Sequence, residues 1–177
     1  MMSAGTAPIR IETTRLVLEE FAQHDAEFIV ELLNQPSFIE FIGDRGVRTT
    51  ADAERYLREG PMSSYRQHGH GLLKVRLRDA ATTLGMCGLV RRDTLPHVDI
   101  GFALLPQFWN AGYVTEAAQA AIEDGKRRLG LSTVLGITSP NNVRSIHVLG
   151  KLGLQFMEER SLATGASPVR IFALKMP

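Results

Sequence analysis

The sequence has one cysteine, Cys87, among its 177 residues. An intrachain disulfide and a cysteine-built metal cluster are both excluded, and no metal is expected. An excess of charge is lacking too: 20 Lys and Arg against 19 Asp and Glu leave a formal +1, no basis for nucleic-acid binding. No apolar run is long enough to read as a membrane span. Met1 to Pro8 is small and polar, lacks a signal-peptide pattern and is expected to be disordered, so the cytoplasm is the expected location. With 44% hydrophobic residues overall, residues 9–177 suffice for one domain with a full core.

What the chain does contain is a strand that stops at a proline, turns through a glycine and launches a long helix. Val98, Ile100, Phe102 and Leu104 alternate with His97, Asp99, Gly101 and Ala103, and Pro106 ends the ladder because it has no N–H to donate. From Val114 the small or apolar residues Ala117, Ala118, Ala121, Ile122, Gly125 and Leu129 keep the three-and-four spacing of one helical face. A helix start leaves N–H groups without intrahelical partners and carries partial positive charge, so main chain alone can hold a diphosphate there. The segment is neither a P-loop, which needs a lysine before Ser or Thr, nor a three-glycine dinucleotide fingerprint.

Other elements follow from local signals. A strand near Arg15 to Phe21 precedes a helix from Asp25 to Asn34, and Thr49 with Asp52 resembles a capping pair opening a second helix toward Ser64. Leu73, Val75 and Leu77 alternate with charged residues and form a hairpin with Leu84 to Arg91. Ser132 to Thr138 reads as a strand, Asn142 to Leu152 as a helix closed by Gly153, and Leu154 to Glu159 and Val169 to Leu174 as the last strands. Cys87 lies in an apolar strand-like run, where a free cysteine is ordinarily a small buried hydrophobe rather than a nucleophile.

Phe108 to Ala117 resembles the acetyl-coenzyme A pyrophosphate loop of the GCN5-related N-acetyltransferases (GNAT), in the branch that acetylates ribosomal-protein N-termini. Glu12-Thr13-Thr14-Arg15-Leu16-Val17-Leu18 is similar to that branch's opening strand and Asp99-Ile100-Gly101-Phe102 to its central strand. Asn142-Val143-Arg144-Ser145, followed by Lys151-Leu152-Gly153-Leu154, is similar to its last helix and exit. The resemblance runs in order from Ile9 to the C-terminus. It implies a mixed α/β fold: a mostly antiparallel sheet of six or seven strands, helices on both faces, and a central parallel pair splayed around the cofactor. It also implies transfer of an acetyl group from acetyl-CoA to a primary amine by direct attack in a ternary complex. By the same resemblance, the cofactor would meet Phe102, Leu104, Trp109, Asn110, Ala111, Gly112, Tyr113, Val114, Thr115, Asn142 and Ser145.

The loop departs from the family at Ala111, where a basic residue commonly precedes the glycine. A charge-assisted contact is worth about 1.5 to 3 kcal/mol, so another cation is expected to substitute. Arg144 and Lys151 are the nearest by motif position, unless they are solvated helix surface. Asn142 is a good N-cap with Ser145 at N3, which alone would explain both; by resemblance, Asn142 would bond the pantetheine amide and Ser145 would donate to the leaving thiolate.

Acyl transfer to an amine needs that amine neutral and the developing oxyanion stabilised. At pH 7 a lysine of pKa about 10.4 opposes this by roughly 4.6 kcal/mol, an α-amine near 7.7 to 8.0 by about 1 kcal/mol. An α-amine therefore needs less help from a base. Asp99 is the candidate base by resemblance, with His97 on the same strand face; the other reading is a surface pair at a strand edge. Backbone N–H groups near Phe102 to Leu104 would stabilise the oxyanion. The acceptor would be framed by Ser37 to Thr50, whose Glu40, Asp44, Arg45 and Arg48 favour neither charge. A protein or peptide N-terminus is the expected acceptor, with a small amine also open. Ala111 and the absence of an obvious base keep a second reading alive, a catalytically silent acyl-CoA-binding sensor or interaction module. A homodimer is possible.

Overall fold

The computed structural model describes residues 7–177; most of the expected disordered N-terminus lies outside the described residues. The strands are β1 (Arg10–Glu12), β2 (Leu16–Glu19), β3 (Leu72–Leu77), β4 (Thr83–Val90), β5 (Asp99–Leu104), β6 (Thr133–Thr138), β7 (Gln155–Arg160) and β8 (Val169–Lys175). The helices are α1 (Ala26–Leu33), α2 (Pro36–Phe41), α3 (Thr50–Glu59), α4 (Pro61–His68), α5 (Tyr113–Leu129) and α6 (Val143–Lys151). All eight strands join one mixed sheet in the order β1-β2-β3-β4-β5-β6-β8-β7, antiparallel except for β5 and β6. The expected mixed, mostly antiparallel architecture is present. The strand beyond the expected seven is β1, whose three residues are too short for alternation to reveal and which exists by pairing with β2.

Four helices, not the expected two, separate β2 from β3. Thr49 does cap α3: Asp52 N–H donates to Thr49 Oγ1 and Thr49 N–H to the Asp52 carboxylate, each at 3.1 Å. The run toward Ser64 breaks at Gly60-Pro61, because the residue before a proline is driven out of the helical region and Pro61 then serves as the first residue of α4. The six-residue α2 is too short to show a helical period.

One core lies between the sheet and α5, with Leu16, Leu18, Val75, Leu84, Cys87, Ile100, Ala117, Ala118 and Val134 buried. A second lies under α1 and α3, around Ile29, Leu32, Leu57 and Met86. Cys87 is fully buried, and burial pushes its thiol pKa up, which suits a packing role. Gly136 admits α6: a Cβ there would stand 2.6 Å from Leu149 Cδ2. Among the described residues, no helix is long and apolar enough to cross a membrane.

The parallel pair is splayed. β5 and β6 pair at Asp99 with Leu135, where Leu135 N–H donates to Val98 O at 2.9 Å, and the ladder goes no further. From Ile100 onward one edge of β5 has no strand beside it. The cleft opens toward the carboxyl ends of both strands, the end from which α5 and α6 are launched.

Candidate functional site

The loop at the head of the cleft is set by its own residues. Leu105 N–H bonds Leu84 O at 2.8 Å, a turn of 3-10 helix covers Pro106–Phe108, and Trp109 Nε1 donates to Leu104 O at 2.9 Å. The chain then takes two left-handed steps, at Asn110 (φ 60°) and Gly112 (φ 79°). Asn110 is the one non-glycine residue with positive φ among the described residues, and such strain concentrates at functional sites. Gly112 is the N-cap of α5, and the first intrahelical bond there runs from Glu116 N–H to Gly112 O at 3.1 Å. The N–H groups of Tyr113, Val114 and Thr115 are therefore free of helical partners and available to an anion.

An open groove of about 740 Å³ adjoins this helix start, lined by Gly112, Thr115, Glu116, Gln119, Ala120, Glu123 and Lys151. Of the two cations expected to replace the missing one, Lys151 does face this groove. Arg144 does not line it; from the first turn of α6 its guanidinium lies over the Trp109 ring, 4.5 Å from the centroid. A third cation, Arg15, reaches the loop from the turn between β1 and β2. Its Nη1 donates to Ala111 O at 2.9 Å, its Nε to Glu116 Oε2 at 2.6 Å, and its guanidinium lies 4.5 Å from the Tyr113 ring centroid. Arg15 belongs to the opening-strand motif, but nothing in the local sequence ties it to the loop, since its partners lie about a hundred positions along the chain.

Around the rest of the cleft, Phe102 is half-buried and Leu104 buried, with the open edge of β5 running between them. Asn142 caps α6, its Oδ1 accepting from Ser145 N–H at 3.1 Å; the Nδ2 group has no part in that cap. Ser145 sits half-buried in the first turn of α6, its N–H taken by the Asn142 cap.

Asp99 stands where the cleft closes. It is not a surface group: its side chain is 1% exposed, with Oδ1 accepting from Arg92 Nε at 2.9 Å and Oδ2 buried without a partner. Burial raises its pKa, while the Arg92 charge and hydrogen bond pull the other way. Nor is β5 an edge, since β4 and β6 flank it. His97 departs from expectation: β5 begins at Asp99, and His97 lies exposed in the bend before it, so strand alternation does not set its direction. Among the described residues, no group of three or more His, Cys, Asp or Glu is placed to hold a metal.

A family model described as "Acetyltransferase (GNAT) domain" matches residues 15–155. An uncharacterized N-acetyltransferase of Bacillus subtilis, YnaD, is 26% identical over 147 residues, 83% of either chain. In fold, the chain is similar to an acetyltransferase from Agrobacterium tumefaciens (TM-score 0.80, 21% identity, 99% of each chain). It is also similar in fold to RimL, a ribosomal L7/L12 alpha-N-protein acetyltransferase solved with coenzyme A (TM-score 0.79, 13% identity, 95% of this chain and 98% of that one). With the strand-loop-helix, the splayed pair and the family match in one continuous stretch, the chain belongs to the GNAT acetyltransferase family and is an acetyltransferase.

Proposed function

We propose that the protein moves an acetyl group from acetyl-CoA to a primary amine, with the α-amine of a protein or peptide as the favoured acceptor. The observation that carries the proposal is the cleft itself: an unpaired edge of β5 leading to a helix start whose first N–H groups are free. The residues suit the donor. Tyr113 to Thr115 N–H groups and Lys151 match a diphosphate, and the open β5 edge from Ile100 to Leu104 offers main-chain groups to a pantetheine amide. Bound there, acetyl-CoA supplies the acetyl group as a thioester.

Asp99 is the proposed base: a carboxyl whose pKa burial raises is better matched to taking a proton from an ammonium through water. Ser145, in the first turn of α6, would donate to the departing thiolate, and a β5 N–H near Phe102 would stabilise the oxyanion. His97 stays a proposed partner only through solvent, given its exposure. The silent-binder alternative loses one motive, since Lys151 brings positive charge to the groove that Ala111 leaves bare and Arg15 offsets Glu116 beside it.

The test is thiol release from acetyl-CoA with three acceptor sets: peptides with a free N-terminus, the same peptides N-terminally blocked but carrying lysine, and small amines. Turnover confined to free N-termini is expected. Turnover on lysine or small amines alone overturns the acceptor assignment, and CoA binding without turnover across the panel favours the silent binder. Asp99→Asn should lower kcat by about a hundredfold or more, the range of a general base.

A further inference from the structure

The groove beside α5 has a charge problem. Glu116 sits in the first turn of the helix and lines the place an anion would occupy, and Ala111 offers no cation to offset it. A carboxylate there repels a diphosphate unless it is neutralised. The turn between β1 and β2 does this with three donors: Thr13 Oγ1 at 2.6 Å and Arg15 N–H at 2.9 Å bond one Glu116 oxygen, and Arg15 Nε at 2.6 Å bonds the other. Partial burial alone would raise the Glu116 pKa, but these bonds outweigh it and hold the carboxyl below its ordinary value. The same guanidinium crosses the whole loop, bonding Ala111 O through Nη1 and stacking on Tyr113. Nη2 faces Gly112, 3.3 Å from where a Cβ would sit there.

We infer that Arg15 is a positioning residue of the donor site, which shapes the loop and neutralises a carboxylate that would otherwise repel the diphosphate. It holds Ala111 O and the Tyr113 ring on either side of the left-handed Gly112, keeps Nη2 against that glycine, and cancels the charge of Glu116. Discrimination between CoA and its bare pantetheine arm then rests in part on a residue from the opening turn of the fold. A lysine could not do all of this, because one ammonium cannot span Glu116 and Ala111 in the planar fork that Arg15 uses.

The inference rests on the reading of the loop as a diphosphate site, and the experiment separates the two. Dissociation constants for CoA and for pantetheine are measured by calorimetry on the full-length wild type, Arg15→Gln and Arg15→Lys. In the wild type, CoA binds more tightly than pantetheine. Arg15→Gln weakens CoA about tenfold, the low end for a charge-assisted contact on a partly exposed side chain, and leaves pantetheine within about twofold. Arg15→Lys falls between. Should Arg15→Gln not fold, Arg15→Lys carries the test with a rise of about threefold for CoA alone. Equal weakening of CoA and pantetheine would reveal a merely structural role and overturn the inference, as would unchanged CoA affinity. A wild type that binds pantetheine as tightly as CoA would instead refute the diphosphate site itself.

Discussion

Arg92→Met keeps an apolar stem and takes the guanidinium away from Asp99. The Asp99 side chain is 1% exposed and its Oδ2 already lacks a partner, so the variant leaves a buried carboxylate with no compensation. Breaking a buried pair in this way costs about 3 to 5 kcal/mol. Two features pull the value to the lower end. Arg92 is 36% exposed, so water can reach the vacated position. The carboxylate can also escape by taking a proton, which from the unfolded value of 3.8 costs about 4.4 kcal/mol at pH 7 and about 1.6 kcal/mol at pH 5. The expected loss is about 3 kcal/mol at pH 7, a fall in Tm of about 6 to 12 °C for a chain of this size, shrinking to under about 2 kcal/mol at pH 5. The sign follows from linkage: burial raises the folded-state pKa of Asp99, so stability tied to this carboxyl is full below pH 3.8 and falls as pH rises through the folded value. Removing Arg92 raises that value further and steepens the fall. Urea unfolding at both pH values checks it, with Arg92→Met/Asp99→Asn expected to recover most of the loss. An equal loss at pH 5 and pH 7, or one below about 1 kcal/mol at pH 7, would refute the buried-charge account.

Gly85→Ala places a Cβ 2.1 Å from Ala103 O and 2.7 Å from Leu104 Cα, both backbone, so the β4–β5 register must shift; a loss of about 3 kcal/mol or more is expected in chemical denaturation. Thr49→Ala removes the α3 cap and should cost about 1 kcal/mol, while Thr49→Ser should cost little, by the same measurement. Glu116 has a depressed folded-state pKa, so its contribution is present above the ordinary value of 4.5 and lost as pH falls through the folded one. Acid unfolding followed by circular dichroism should accordingly be less steep below pH 4.5 in Glu116→Gln than in the wild type.

The elements that position the site were legible because their signals are short-ranged. The alternation through β5, the stop at Pro106, the glycine at the start of α5 and the Asn142 cap of α6 each lie within a few residues of what they specify. The break at Gly60-Pro61 was also written locally, but the helical pattern running past it obscured the boundary. Periodicity says which face of a strand is apolar and is silent about which neighbour covers it. Alternation therefore left Asp99 open to two readings, a base or a surface carboxylate, and only the fold buries it and brings Arg92 within hydrogen-bond distance.

The sequence by itself determined the strand-loop-helix that could hold a diphosphate, and through its motif order the family. Tertiary structure alone decided the charge of that site. Arg15 and Glu116 stand 101 positions apart, and Arg15 and Ala111 96, and only the packing of the β1–β2 turn against the start of α5 brings them together. An electrostatic contact depends on distance in space, and a linear spacing fixes that distance only within a few turns of chain.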